Sequence, residues 1–100
     1  MTSEERDCRL AAIHRDDLAV VTAKGSDYAP AGDVLRNLRR HGSKGVVVRL
    51  GDKYERLNQL LFHGKRANVS GETIIDTIRD MRIYCALLQA MMEAGEDTAD

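Results

Sequence analysis

Ile74, Ile78, Met81, Cys85, Leu88 and Met92 recur at intervals of 4, 3, 4, 3 and 4 through the last third of the chain. Steps of three and four hold side chains on one side of a helix, whereas a strand would scatter them over both of its faces. Ser70 supplies an N-cap hydroxyl just before this stretch, and Glu72 places negative charge at the positive end of the helix dipole. The stripe therefore predicts a helix over about 71–92 with one buried face. Ile75, Ile83, Leu87 and Met91 lie off it, and a helix apolar on two sides is sandwiched between neighbours. A chain of 100 residues builds one domain with a modest core. The second neighbour is thus expected to be another subunit.

Glycine and proline punctuate the remainder at Gly25, Pro30, Gly32, Gly42, Gly45, Gly64 and Gly95. Leu10, Ile13, Val20 and Val21 predict a helix from about Ser3 to Lys24, with Glu4, Glu5 and Asp7 at its start. "KGSDYAPAGD" reads as a turn or loop. A short helix from about Ala31 to Arg40 carries Val34, Leu35 and Leu38, and "HGSKG" ends it. In "GVVVRLGDKYERLNQLLFHG" three valines favour a strand. Val47, Leu50, Tyr54, Leu57 and Leu61 instead follow helical spacing, and predict a helix over about 46–63. Gly51 inside it costs ~1 kcal/mol relative to alanine unless it marks close packing against a neighbouring backbone. "EAGEDTAD" reads as a frayed tail. The expected architecture is all-α: a small bundle of about four helices completed by oligomerisation. It forms a single domain, with an N-terminal helix over 1–23, a core over 24–90 and a disordered acidic tail over 94–100.

Bulk charge is nearly balanced, with 15 Lys and Arg against 16 Asp and Glu and a formal net charge of -1. Its distribution is uneven. Arg36, Arg39, Arg40, Lys44, Arg49, Lys53, Arg56, Lys65 and Arg66 crowd the middle against only Asp52 and Glu55, which suits either a solvated face or a patch for phosphate groups. Cys8 and Cys85 belong to no C-x-x-C pair, which argues against a zinc site built on them. Cys85 reads as a core residue and Cys8 as a small side chain on a helix. No secretory segment follows Met1 and no apolar run approaches the ~20 residues of a membrane span, so a cytoplasmic protein without a membrane partner is expected. Phe62 and three tyrosines provide no stacking platform, which disfavours direct nucleic-acid binding.

Glu72, Asp76 and Asp80 stand four residues apart and form a row on one flank of the last helix. Three like charges in a row repel, so a divalent cation, Arg or Lys from another helix, or water must compensate them. Oxygen-only ligands suit Mg²⁺ or Mn²⁺; Arg79 offers a local ion pair without metal. On the preceding helix Asp52 and Glu55 are interleaved with Arg49, Lys53 and Arg56. An Asp52–Arg56 pair at i, i+4 is one reading, worth ~0.3 to 0.5 kcal/mol. A metal ligand beside phosphate-gripping cations is the other.

Taken together, "KGSDYAPAGDVLRNLRRHGSKGVVVRLGDKYERLNQLL" and "SGETIIDTIRDMRIYCALL" resemble small phage and bacterial proteins of the nucleotide modification associated domain family. The likeness spans Lys24 to Leu88 and rests on Lys24, Asp27 and Tyr28, on Asn37, on Arg49, Asp52, Lys53 and Arg56, and on Glu72, Asp76, Asp80 and Tyr84. Gly71 stands where that pattern has an acid. The order Asp52-x-x-Glu55 then Glu72-x-x-x-Asp76 is also similar to the paired acids with which MazG-like all-α nucleoside triphosphate pyrophosphohydrolases hold Mg²⁺. Here the second spacing is one residue longer, and the first acid is Asp where they have Glu.

The resemblance implies a nucleotide-directed protein, phage-encoded and working in the cytoplasm of a bacterial host. As a Mg²⁺-dependent hydrolase it would use Asp52, Glu72 and Asp76 in catalysis, with Asp80 joining them as metal ligands. Lys24, Asp27, Tyr28, Asn37, Arg49, Lys53, Arg56 and Tyr84 would bind the nucleotide. A non-catalytic sponge that sequesters a signalling nucleotide is the second expectation. The third is a helical interaction module in which Asp52, Asp76 and Asp80 pair internally with Arg49, Arg56 and Arg79.

Overall fold

The computed structural model describes residues 1–28, 36–63 and 71–98, with side chains described for 1–23, 40–63 and 74–98. The described secondary structure is all helical: α1 Ser3–Tyr28, α2 Arg36–Phe62 and α3 Gly71–Glu93. No strand occurs among the described residues, so the valine run is helical. Of the three valines only Val46 is buried, and its place in the α2 seam outweighs the β propensity of the run. The rest of the expected turn, the start of the short helix expected from Ala31 and the Ser70 cap fall outside the described residues.

Among the described residues three helical segments stand where about four helices were expected, because the two stretches flanking "HGSKG" follow one another across a kink in α2 with no loop between them. Gly42 alone leaves helical geometry inside it, at φ 65° and ψ -167°, a combination essentially confined to glycine. α1 and α2 belong to different compact units, Met1–Val34 and Leu35–Asp100.

In the first unit a capping box opens α1. Glu5 N–H donates to the Thr2 hydroxyl at 3.1 Å, and Thr2 N–H donates to the Glu5 carboxylate at 3.4 Å, satisfying two donors that the helix leaves without partners. α1 continues past Lys24 and Gly25 to Tyr28, into the segment expected as a turn. Propagation of an existing helix adds one hydrogen bond per residue, which a single glycine does not cancel. Leu10 and Leu18 on α1 are exposed.

In the second unit α2 packs on α3. Ser43 meets Asp97 beyond the end of α3, and Lys53 meets Asp80 midway along it, so the helices run antiparallel. On α2 the seam consists of Val46, Leu50, Lys53, Leu57 and Leu60; Val46 and Leu60 are buried and the other three half-buried. The expected column of Val47, Tyr54 and Leu61 is exposed. On α3 the seam is Ile74, Thr77, Met81, Tyr84, Leu88 and Met91; of the expected column, Ile78 is half-buried while Cys85 and Met92 are exposed. Cys85 is thus a surface thiol. Both seams keep one expected column and replace the other with the column one residue earlier. Lys53, Thr77 and Tyr84 can lie there because their polar ends find partners or solvent while their carbon atoms pack.

The residues after α3, read from composition as the start of a frayed tail, close that helix. Gly95, at φ 70°, donates to the Met92 carbonyl at 3.1 Å, and Glu96 N–H donates to the Met91 carbonyl at 2.7 Å. These are the two bonds of a Schellman cap. Asp97 then turns its carbonyl to Ser43 N–H at 2.7 Å. The break at Gly42 takes Ser43 N–H out of the helical ladder, and the tail supplies its acceptor.

Candidate functional site

Which side of the hairpin a residue faces follows from its helical phase. Reversing chain direction reverses the sense of rotation, so in an antiparallel pair the residues displaced the same way from the two seams turn to the same side. Lys53 and Asp80 mark one side. Arg49, Lys53 and Arg56, at i, i+4 and i+7, bring the α2 cations to it, with Asp52 behind them. Asp76 and Asp80, at i and i+4, bring the α3 acids. The central basic motif and the acid row therefore share one charged side of the α2–α3 hairpin.

Across the seam Lys53 Nζ lies 3.1 Å from Asp80 Oδ2, with side chains 32% and 28% exposed. Both hydrocarbon stems are partly removed from water, so this pair is screened less than a surface pair. Arg79 Nη2 lies 3.3 Å from Asp76 Oδ1 within α3, while its Nε is buried without a hydrogen-bond partner. Compensation of Asp76 and Asp80 therefore comes from a guanidinium on the same helix and an ammonium on the facing one.

The other expected residues are placed differently. Arg49, Asp52 and Arg56 are exposed, and the i, i+4 pair expected between Asp52 and Arg56 is not among the ion pairs of the described residues. Glu55 accepts a hydrogen bond from Gln59 Nε2 at 3.2 Å. Tyr84 is half-buried in the seam. Lys24, Asp27 and Tyr28 lie on α1, in the other unit; their side chains, and those of Asn37 and Glu72, lie outside the described residues. His14, His41 and His63 are exposed and dispersed along the chain.

Of the expected metal ligands, Asp52, Asp76 and Asp80 have described side chains and Glu72 does not. No group of three carboxylate, imidazole or thiol side chains among the described residues converges enough to hold a divalent cation. A metal ion would have to take Asp80 from Lys53 and Asp76 from Arg79. Chemically, the arrangement suits anion recognition: Arg49 and Arg56 present guanidinium groups to solvent, and the seam fixes Lys53 between them. The backbone link from Asp97 to Ser43, which holds the start of this α2 segment, had no signal in residue type.

No helix among the described residues is long and apolar enough to cross a membrane. No family model matches the chain, and no curated protein or solved structure matches it either.

Proposed function

We propose that the charged side of the α2–α3 hairpin binds the phosphate groups of a nucleotide, with Arg49 and Arg56 as its outer cations and Lys53 between them. One observation carries this reading. The Lys53–Asp80 pair joins the basic helix to the acid row, so two of the motif elements that prompted the nucleotide resemblance meet on one surface. Arg49 and Arg56 remain exposed on that side. Two guanidinium forks flanking an ammonium match the oxygens of a di- or triphosphate better than those of a lone carboxylate.

The test is a thermal-shift and calorimetric screen of nucleoside mono-, di- and triphosphates and cyclic nucleotides, with and without Mg²⁺ or Mn²⁺. A ligand at a hundred times its Kd stabilises the native state by about 2.7 kcal/mol. Arg49→Gln and Arg56→Gln should each lower the affinity about tenfold while leaving unfolding of the free protein unchanged. A nucleotide recovered intact assigns a sequestering protein; release of pyrophosphate only with metal assigns the Mg²⁺-dependent hydrolase. Absence of any shift across the screen overturns the proposal.

A second reading, the helical interaction module, is favoured by the same ion pairs. Lys53–Asp80 and Arg79–Asp76 occupy two acids without any ligand, as an internal network would. It is distinguished by charge-swapped Lys53→Asp/Asp80→Lys, which should restore the folding lost in either single variant and leave no nucleotide response to abolish.

A further inference from the structure

The side of the hairpin opposite the Lys53–Asp80 pair has a different composition. Val47, Tyr54 and Leu61 of α2 and Ile78, Cys85 and Met92 of α3 are displaced from their seams in the same sense. In an antiparallel pair they therefore share one face. Val47, Tyr54, Leu61 and Met92 are 56%, 61%, 42% and 57% exposed, Cys85 is exposed as well, and Ile78 is half-buried. Neither column contains a charged residue.

We infer that this face is a self-docking surface, on which a second copy of the chain lays the same face to complete a four-helix bundle. Three observations select a second copy. A two-helix layer has two sides and cannot enclose a core alone, and face-to-face pairing of two hairpins is an established way to close one. A patch that meets itself across a two-fold axis must not repel itself, and these columns bear no charge. The area is also sufficient: the exposed side chains offer on the order of 500 Å² per copy, so a pair would bury about 1,000 Å², near the lower bound for a specific interface. That places the dimer in the weak, reversible class. The charged side remains open to solvent in such a pair, so this inference is independent of nucleotide binding.

Sedimentation velocity on the full chain over a hundredfold range of concentration is expected to give a reversible monomer–dimer equilibrium. Tyr54→Glu on α2 and Met92→Glu on α3 should each weaken it about tenfold or more, with helical circular dichroism retained because both side chains are exposed. Val48→Glu, whose exposed side chain lies on the side of α2 turned away from α3, should leave it unchanged. Alkylation read by mass spectrometry provides a second measure, with exposed Cys8 as internal reference. Cys85 should react more slowly relative to Cys8 as the protein is concentrated, and Tyr54→Glu should remove the difference. A monomer at every concentration, association that all three variants weaken alike, or a constant Cys85 to Cys8 ratio would each overturn the inference.

Discussion

Lys53 is where apolarity and packing part company. A seam chosen by hydrophobicity passes through Tyr54, yet the helix turns Lys53 inward, because Asp80 waits 3.1 Å away to receive its charge. Replacing Lys53 by Met leaves Asp80 half-buried without its cation and should cost about 1 kcal/mol; Asp80→Asn should cost a similar amount. A double-mutant cycle by urea denaturation should return a coupling of about 0.5–1 kcal/mol, and additive effects would show that the pair contributes nothing. Two glycines separate as cleanly. At Gly51 a Cβ would meet nothing within 4 Å, so close packing does not explain this glycine. Gly51→Ala should raise stability by up to about 1 kcal/mol in dilute solution. Gly42 occupies glycine-only backbone, and Gly42→Ala should lower stability by about 1–3 kcal/mol. Thermal unfolding of the two variants should move in opposite directions.

At the scale of elements, the end of α3 is set by backbone chemistry that composition conceals. An acidic tail without large apolar residues satisfies the usual description of a disordered end. Here its first residues form a glycine-dependent cap, and Asp97 binds Ser43 through main-chain atoms. Main-chain bonds of this kind leave no mark on residue type beyond Gly95 itself. Gly95→Ala forces an L side chain into positive φ and should cost about 1 kcal/mol. Amide hydrogen exchange at Ser43 should accelerate in that variant although the substitution lies more than fifty positions away in sequence; unchanged protection would mean that the Asp97–Ser43 link does not depend on the cap. The helices themselves were legible because apolar residues recurred at threes and fours. Their exact faces were not, because 47/54/61 and 46/53/60 differ by only about 100° of rotation, and the partner helix decides between them.

The described residues enclose little interior. Among the described residues the buried apolar side chains are Val46, Leu60, Ile74 and Met91, a small core even for a domain of this size. Stability drawn partly from association depends on concentration. The calorimetric midpoint should therefore rise with protein concentration over a hundredfold range, and the rise should vanish in Tyr54→Glu; a midpoint independent of concentration would mean that each copy is stable alone. The periodicity of apolar residues, the glycine breaks and the acid row are local, and the sequence by itself determined an all-α chain carrying basic residues on one helix and acids on the next. Which of two adjacent columns enters the seam depends on the facing helix, as does whether Asp80 meets an ammonium or stays in water. Only the tertiary structure decided these, because burial and ion pairing are free energies of two surfaces together, and neither helix carries the other's half.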